Sequence, residues 1–421
     1  MTAQRVTARV TMIGAKGDGL LETPLGDTFA PYVAPGDEGV FDVAGDRALL
    51  VELTKDSDWR APAPCPLYGD CGGCQLQHIT FNHYTEWKRD RVVAALSQAG
   101  FDDVSVAPVE TTPVASRRRA VFAVQKNAGA VVLGFNRRRS SQIVATPDCL
   151  VLRDDLRAAT PALHALAEAT PADAFDIAAT ACDNGIDVDI RSRRLRRLSS
   201  DILRTLSAAA VAVGEAGGVI RVALNGEPVL ALKEPIVRFG AVPVVPPPGG
   251  FLQASAEGEA HLAALVTKAV GAARRVVDLY CGAGAFALRL AGNAAVYAAD
   301  SSAPALAALK AGAARGAAAG VFAAPIEAEV RNLDERPLMA AELARFDAVV
   351  FDPPRAGAAA QAAELARSGV PVIVGVSCNP ATFARDARLL SQGGYRLEAV
   401  TPVDQFIYAS HIELVGVFRK A

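Results

Sequence analysis

The sequence is informative first for what it lacks. It contains no run of 18 or more uncharged apolar residues, so we expect no transmembrane helix. The opening stretch, MTAQRVTARVTMIG, lacks the basic start, apolar core and small-residue cleavage site of a secretory signal, which predicts a cytoplasmic protein. An excess of either charge is also missing, since the formal net charge is -2 over 421 residues. This balance excludes a uniformly basic binder of nucleic acid but permits local basic clusters.

Cysteine is present in a number that argues against a disulfide framework. Seven cysteines is an odd count, and disulfides are rare in a reducing compartment, so metal binding or thiolate chemistry is the better explanation. The chain is 51% hydrophobic and therefore able to bury large cores. At roughly 150 residues per domain, its length predicts two or three domains.

The pattern along the chain predicts a multidomain α/β protein with three parts. Residues 1–55 alternate apolar and polar positions between Gly-Asp turns, which is typical of a small OB-like β-barrel. Residues 56–245 form a mixed α/β region that ends at the proline-rich stretch AVPVVPPPGG. Candidate strands there are 118–125, 130–135, 186–190 and 219–232, and candidate helices are 155–170 and 200–210. Residues 246–421 alternate strands and helices, which predicts a parallel, doubly wound sheet and a ligand at the carboxyl ends of its strands.

A glycine-rich turn follows the first strand of that last region. Asp278 lies near the strand end, Gly282 and Gly284 permit close approach of a ligand to the backbone, and Asp300 ends the next strand. A carboxylate at such a position can accept hydrogen bonds from ribose hydroxyls. Because the loop reads DLYCGAG rather than G-x-G-x-x-G, the pattern favours S-adenosylmethionine over a dinucleotide.

Two later strand ends carry further chemistry. Asp352 begins the segment DPPR, and Cys378 precedes a helix predicted to begin near Pro380, whose positive end is expected to favour the thiolate. A thiolate that adds to carbon 6 of uracil makes carbon 5 nucleophilic toward a methyl sulfonium, and a base must then remove the carbon 5 proton. Glu413, in the C-terminal segment HIELVGVF, is the candidate base. The pattern therefore predicts methyl transfer to a pyrimidine.

Three further cysteines are spaced C-x5-C-G-G-C at Cys65, Cys71 and Cys74, and Cys149 is the natural fourth ligand. Four thiolates suit either zinc or an iron–sulfur cluster, and the spacing leaves both open. The sequence also contains three arginine clusters. Clusters of this kind usually lie on the solvated surface, but beside an RNA-modifying domain they are candidate phosphate contacts. They are Arg117 to Arg119, Arg137 to Arg139, and Arg191, Arg193, Arg194, Arg196 and Arg197, and the first is the preferred site.

These motifs together resemble the RNA uracil-5-methyltransferases. The segments that carry the resemblance are CPLYGDCGGCQLQH, DLYCGAGAF, FDPPRAG, SCNPATFARD and the closing HIE. The leading barrel resembles the TRAM domain of the members that act on 23S rRNA. The resemblance implies a Rossmann-like methyltransferase domain over 246–421, a central RNA-binding domain over 56–245, 23S rRNA as partner, and no obligate protein partner.

The resemblance also implies roles for individual residues. Cys378 is the nucleophile, Glu413 is the base, and Asp352 lies at the methyl donor and the target base. S-adenosylmethionine contacts Gln253, Tyr280, Asp300 and the glycines of DLYCGAG. A 4Fe-4S cluster is held by Cys65, Cys71, Cys74 and Cys149. The cluster and the barrel argue against the tRNA-specific branch.

The chain departs from the family pattern at several positions. They are Ser255 in place of Asn, Ala285 in place of Asn, Asp300 in place of Glu, and Ile407, Tyr408 and Ala409 in place of Pro-His-Thr. No residue after the third strand is assigned to the adenine. The departures motivate one alternative, an RNA-binding protein with an inactive methyltransferase domain. The segment DPP motivates a second, an amine methyltransferase that needs no thiolate, and a tRNA uracil-5-methyltransferase is a third.

Overall fold

The protein is described by a computed structural model that covers residues 3–127, 130–195, 199–322 and 325–421. The first 55 residues form a closed barrel with the strand order β1-β2-β3-β5-β4, in which β4 pairs back onto β1. Its strands are β1 (Gln4–Ile13), β2 (Gly19–Thr23), β3 (Gly26–Ala30), β4 (Glu38–Ala44) and β5 (Arg47–Lys55). Alternate side chains, including Val10, Leu21 and Phe41, fill its interior. The predicted barrel is therefore present.

A helix and two short strands follow, and they pack on the C-terminal sheet although they lie within residues 56–245. They are α1 (Phe81–Gln98), β6 (Ser105–Val106) and β7 (Glu110–Thr111). Val92 and Leu96 of α1 lie in the same apolar core as residues of the C-terminal sheet. Both short strands run parallel to a long strand near the end of the chain, at Ala399–Val400 and Val403–Asp404.

The central region is a seven-stranded sheet with the order β10-β9-β8-β11-β12-β13-β14. Its elements are β8 (Arg119–Asn127), β9 (Ala130–Asn136), β10 (Ile143–Ala145), α2 (Asp154–Ala158), α3 (Thr160–Ala169), β11 (Ala174–Cys182), β12 (Gly185–Arg191), α4 (Ser200–Gly217), β13 (Val219–Leu224) and β14 (Glu227–Ala231). A separate hairpin follows, formed by β15 (Val237–Phe239) and β16 (Val242–Val244).

Most predicted elements of this region are confirmed, with several differences. The strand predicted over 219–232 is a hairpin, because Asn225 and Gly226 adopt positive φ values of 51° and 82° and form a tight turn. The helix predicted over 155–170 is divided at Ala159, and the helix predicted over 200–210 continues to Gly217. Strand β11 was not predicted, because its alanine-rich sequence AFDIAATAC carries the composition of a helix.

The C-terminal region continues with α5 (Ala256–Val270), β17 (Arg275–Leu279), α6 (Ala287–Leu290), β18 (Ala295–Asp300), α7 (Ala303–Ala318), β19 (Ile326–Val330), α8 (Ala340–Leu343), β20 (Ala348–Phe351), α9 (Ala359–Ser368), β21 (Val372–Ser377), α10 (Pro380–Gln392), β22 (Tyr395–Asp404) and β23 (Glu413–Lys420). The strand order is β19-β18-β17-β20-β21-β23-β22, and the first five of these strands are parallel. Successive residues of a strand, such as Val276 and Val277, belong to two separate apolar cores, one on each face of the sheet. Within the described residues, no helix is long and apolar enough to cross a membrane.

Candidate active site at the carboxyl edge of the parallel sheet

The parallel strands end in register, and this alignment gathers the predicted residues at one edge. Leu279 at the end of β17 pairs with Ala299 on one side and with Phe351 on the other. The residues that follow in each strand, Tyr280, Asp300 and Asp352, are therefore neighbours. This is the edge at which open α/β sheets bind their ligands.

The glycine-rich turn is shaped by Asp300. Its carboxylate accepts hydrogen bonds from the backbone N–H of Gly282 at 2.9 Å and of Ser302 at 2.7 Å. Tyr280 and Gly282 adopt positive φ values of 60° and 53°. A Cβ atom built on Gly282 would meet no other atom within 4 Å, so the turn faces open space. The turn can therefore receive a ligand against its backbone.

Asp278 and Gly284, both predicted to contact the ligand, instead support the glycine-rich loop from inside the protein. Asp278 is fully buried, and its Oδ2 accepts a hydrogen bond from the backbone N–H of Ala287 at 2.9 Å. Burial raises its pKa well above the ordinary value, and the charges of Asp352 and Asp300 add to that effect. Gly284 packs closely, since a Cβ atom there would lie 3.0 Å from Leu309. Both residues maintain the loop from within and do not face its opening.

The third strand supplies residues that the sequence analysis left unassigned. Asn332 and Asp334 are exposed just after β19 ends. The hydroxyl of Tyr280 donates a hydrogen bond to Asp334 Oδ1 at 3.1 Å, which links this loop to the glycine-rich turn. The signal that could have identified them is the end of the strand at Val330.

Cys378 and Glu413 lie side by side at the same edge. Ser377 of β21 pairs with Leu414 of β23 in antiparallel register, so the next pair brings Cys378 beside Glu413. Glu413 is 5% exposed, whereas Cys378 is only partly buried. A partly exposed thiol and a buried carboxyl group thus lie side by side at this edge.

The electrostatic setting of Cys378 differs from the prediction. Helix α10 does begin at Pro380, with Asn379 as its N-cap. However, burial and the carboxylates of Glu413 and Asp352 together raise the pKa of Cys378 to about 11, against the opposing charge of Arg355. The expectation that the start of the helix would favour the thiolate is wrong, because partial burial and two nearby acids outweigh the dipole.

Both acids at this edge are themselves perturbed. Burial raises the pKa of Glu413 to about 8, and the charge of Asp352 contributes to that shift. Burial also raises the pKa of Asp352 to about 7, while a hydrogen bond from Gln253 opposes it. Carboxyl groups with pKa values near neutrality are suited to proton transfer.

Gln253, predicted from the resemblance, lies in this group, and a second glutamine accompanies it. Gln253 Nε2 donates to Asp352 Oδ2 at 3.1 Å. Gln405, which the sequence analysis did not select, donates from Nε2 to Glu413 Oε1 at 3.2 Å. Ser255, one of the departures, is the N-cap of α5 and accepts a hydrogen bond from the Gly258 N–H at 3.0 Å. Its hydroxyl therefore stabilises the helix beside the site.

Side chains of helix α1 support the loop that leads to Glu413. Lys88 and Asp404 form a fully buried ion pair at 2.6 Å, and the Tyr84 hydroxyl donates to the same carboxylate at 2.6 Å. Lys88 also donates to the His411 carbonyl at 2.7 Å. The loop conformation is thus supported on both sides of Gln405.

The departure at 407–409 has a defined place in this loop. Ile407 and Ala409 are buried, and Tyr408 adopts a positive φ of 66°. The Tyr408 carbonyl accepts hydrogen bonds from the backbone N–H groups of Gln75 at 2.8 Å and Leu76 at 3.0 Å. Tyr408, one of the three replaced residues, therefore connects the loop that precedes Glu413 to the cysteine loop.

The four predicted cysteine ligands line one cavity. Its volume is about 70 Å³, and Arg117, Tyr68 and Phe135 are among its other walls. Burial raises the pKa of Cys74 to about 11 and also raises the pKa of Cys71 and Cys149. Over the described residues, no group of three or more His, Cys, Asp or Glu side chains is arranged to hold a metal ion. The four thiols therefore line a common space without forming a single-ion site. They belong to Cys65, Cys71, Cys74 and Cys149.

The arginines predicted to contact RNA have three different environments. Arg118 is 4% exposed and pairs with buried Glu259 at 2.6 Å, so it is unavailable to phosphate and that prediction is wrong. Arg119 is partly buried and lies 5.9 Å from the ring centroid of Phe251, which is 70% exposed. Arg117 lies 5.7 Å from the ring centroid of Phe406. Among the other arginines, Arg196 and Arg197 lie outside the described residues.

Comparisons with known proteins agree on one family. The family model described as tRNA (uracil-5-)-methyltransferase matches residues 247–421. The chain is 43% identical over 431 aligned positions to an RNA methyltransferase of Brucella suis, covering 100% of this chain and 99% of that protein. It is 33% identical to the 23S rRNA (uracil(1939)-C(5))-methyltransferase RlmD of Chromohalobacter salexigens, covering 94% of this chain and 86% of that protein.

A solved structure shares the fold over nearly the whole chain. It is the tRNA (uracil-54, C5)-methyltransferase of Pyrococcus abyssi in complex with S-adenosyl-L-homocysteine. The TM-score is 0.73 at 23% sequence identity, and the match covers 98% of this chain and 99% of that one. The fold of the two proteins is therefore similar over nearly the whole length of both chains.

Proposed function

This chain belongs to the RNA (uracil-5-)-methyltransferase family, and from that membership we propose that it methylates carbon 5 of a uridine in 23S rRNA. S-adenosylmethionine is the proposed methyl donor, Cys378 the nucleophile and Glu413 the base. The observation that carries the proposal is the pairing of β21 with β23, which brings Cys378 beside Glu413 at the edge where the glycine-rich turn opens.

The residues at this edge fit S-adenosylmethionine. The open space beside Gly282 can accept the donor against the backbone, and the carboxylate of Asp300 lies next to it. The sulfonium and amino groups of the donor are positively charged, which suits the concentration of carboxylates around Asp352. We propose that Tyr280, Gly282, Asp300 and Gln253 bind the donor. Asn332 and Asp334 contact its adenine.

Cys378 and Glu413 divide the proposed chemistry between them. Cys378 Sγ adds to carbon 6 of the uracil, so that carbon 5 can attack the methyl group that S-adenosylmethionine supplies. Glu413 then takes the proton from carbon 5, and the electron pair of that C–H bond expels Cys378 from carbon 6. Burial raises the pKa of Cys378 and two carboxylates add to that effect, so the positive charge of a donor bound near those carboxylates would favour the thiolate. Thiolate formation would thus follow binding of the donor.

The choice of 23S rRNA rests on sequence similarity to RlmD and not on the fold. The similar structure from Pyrococcus abyssi is a tRNA enzyme that matches 98% of this chain, so the barrel and the cysteine loop do not by themselves argue against tRNA. We propose the barrel of residues 1–55 and the region 56–245 as the RNA-binding parts. Arg355, which is exposed and whose charge acts on Cys378, is a proposed phosphate contact together with Arg117.

Methylation of defined RNAs tests this proposal. We expect the purified protein, given S-adenosylmethionine with a tritiated methyl group, to label a 23S rRNA fragment and to leave a tRNA transcript unlabelled. Digestion of the labelled RNA to nucleosides should yield 5-methyluridine. Label on tRNA alone would transfer the activity to tRNA, a methylated exocyclic amine would indicate an amine methyltransferase, and RNA binding without label would indicate an inactive domain.

We also propose that Cys65, Cys71, Cys74 and Cys149 hold a 4Fe-4S cluster. The shared cavity of about 70 Å³ supports a group larger than one ion, since a single water requires only about 10–15 Å³. A zinc site would bring four ligands to about 2.3 Å from one centre. Thiolates are the usual ligands of such clusters. Methyl transfer by the proposed route consumes no electrons, so these residues act on structure rather than on redox chemistry.

Replacement of one cluster ligand should remove the metal. Anaerobically prepared protein is expected to contain about four iron atoms and four acid-labile sulfides per chain, and Cys71→Ser should lose most of both. Cys182→Ser is the matched control, because Cys182 is buried elsewhere and should keep the native iron content. Stoichiometric zinc in the native protein, or unchanged iron in Cys71→Ser, would refute the assignment.

A further inference from the structure

Two glutamine side chains join the two acids of the site. Gln405 Nε2 donates to Gln253 Oε1 at 2.6 Å and to Glu413 Oε1 at 3.2 Å. Gln253 Nε2 in turn donates to Asp352 Oδ2 at 3.1 Å. Gln405 is 2% exposed and Gln253 is 5% exposed, so water competes little for these contacts. An unbroken chain of amides therefore runs from Asp352 to Glu413.

The orientation of this chain is determined by its partners. Both neighbours of Gln405 Nε2 are oxygen atoms, so a flipped amide would bring Oε1 against two acceptors and lose both hydrogen bonds. In this orientation, Gln405 Oε1 has no hydrogen-bond partner among the described residues. Each carboxylate is thus met by an N–H donor, which stabilises the ionised form of a buried acid.

The surroundings hold Gln405 in place. The backbone carbonyl of Gln253 accepts from Arg118 Nε at 3.1 Å, and Arg118 pairs with Glu259 at 2.6 Å. A Cβ atom at Gly258, in the first turn of α5, would approach the Cβ of Gln405 to 2.6 Å. The absence of a side chain at Gly258 is therefore what gives Gln405 its room.

Resting on the proposed function, we propose that Gln405 is a positioning residue that holds the ionised Glu413 carboxylate beside Cys378 and so controls proton removal from carbon 5. It does not touch the reacting atoms. Its effect falls on the second half of the reaction, because the addition of Cys378 to carbon 6 does not require Glu413 to accept a proton.

Several charged groups lie around Glu413 and bear on the pH dependence of its ionisation. The charge of Asp352 acts on Glu413, and the charges of Glu413, Asp352 and Arg355 act on Cys378. On α5, Glu259 is paired with Arg118 and also with Arg289 at 2.8 Å. Below the loop, Asp404 is paired with Lys88. Gln405 is the neutral donor among these groups that bonds directly to Glu413.

The test separates adduct formation from proton removal. Gln405→Met keeps the length of the side chain and removes its donor. With RNA carrying tritium at carbon 5 of uridine, we expect tritium release at pH 7 to slow about 10-fold to 100-fold, the effect of losing a donor to a charged acceptor. The rate should recover at higher pH, with the rising limb displaced upward by about one to two pH units. Formation of the denaturation-resistant adduct with 5-fluorouridine RNA should change less than about threefold.

Two further variants complete the experiment. Gln98→Met is the matched control, because Gln98 is exposed at the end of α1 and should leave the rates and the pH profile native. Gly258→Ala displaces Gln405 without altering it, and it should slow tritium release in the same sense. This second variant decides the question if Gln405→Met does not fold, as judged by its thermal unfolding.

The outcomes are distinguishable. Slower tritium release with a displaced pH profile and near-native adduct formation supports the positioning role. Equal slowing of both steps with an unchanged profile, or native behaviour in Gln405→Met and Gly258→Ala, overturns it while leaving the proposed function intact. If the native protein forms no adduct and releases no tritium, the proposed function fails, and the role of Gln405 fails with it.

Discussion

Replacement of Cys378 by alanine should abolish both methyl transfer and covalent capture of RNA that contains 5-fluorouridine. The sulfur is the proposed partner for carbon 6, and without that bond carbon 5 of uracil is a poor nucleophile. We expect turnover to fall on the order of 10⁴-fold or more, since removal of a nucleophile leaves only binding and orientation. Fluorine at carbon 5 cannot be removed as a proton, so the native enzyme should stall as an adduct that survives denaturation.

Cys182→Ala is the control for this experiment. Cys182 is a buried cysteine at the end of β11, in an apolar cluster that includes neither Cys378 nor Glu413, and its loss should leave the adduct band at native intensity. RNA binding by Cys378→Ala should also persist, because the side chain supplies no charge to the RNA. Methylation that survives in Cys378→Ala would exclude the thiolate mechanism and favour transfer to an exocyclic amine.

Replacement of Glu413 by glutamine should have the opposite effect on the adduct. The variant can add Cys378 and accept the methyl group, but it cannot remove the carbon 5 proton. A methylated protein–RNA adduct should therefore accumulate even with ordinary uridine. Turnover should fall about 10²-fold to 10⁴-fold, which is the range that general base catalysis contributes. The introduced amide retains an oxygen acceptor for Gln405, so we expect the local packing to be preserved.

The pH dependence of proton removal provides an independent check on Glu413. Only the ionised carboxylate can accept the proton, and burial raises its pKa to about 8. Tritium release by the native protein should therefore increase as the pH rises toward 8 and level off above it. Glu398→Gln is the control, because Glu398 is exposed on β22 and should retain that profile. A Glu413→Gln variant that turns over at the native rate would remove Glu413 from the mechanism.

The positions of the reacting groups were largely predictable because each follows a strand. Asp300, Asp352 and Cys378 come at or just after apolar runs, and the carboxyl ends of parallel strands meet at one edge of a sheet. After the third strand no residue was assigned, and Asn332 and Asp334, the residues proposed to contact the adenine, lie there. Strand β11 was missed because local composition favoured a helix, whereas its place between β8 and β12 is determined by tertiary pairing.

Roles that depend on burial were predicted less well. Arg118 belongs to a basic cluster in the sequence, yet it is an interior partner of Glu259. The helix that begins at Pro380 suggested a low pKa for Cys378, but two acids from distant strands raise it. Gln405 carries no motif, and its significance rests on contacts with Gln253, 152 positions away, and with Glu413.

The amino-acid sequence alone was enough to predict the barrel, the strand ends at which the candidate residues lie, and the family. These follow from local properties, such as hydrophobic period, glycine turns and the spacing of reactive residues, which neighbouring positions specify. The folded structure was needed to show that α1, β6 and β7 pack on the C-terminal sheet, which residues face the opening, how the acids and amides connect, and in which direction each pKa moves. Those outcomes depend on burial and on distances between residues far apart in the chain, and both exist only once the strands have paired.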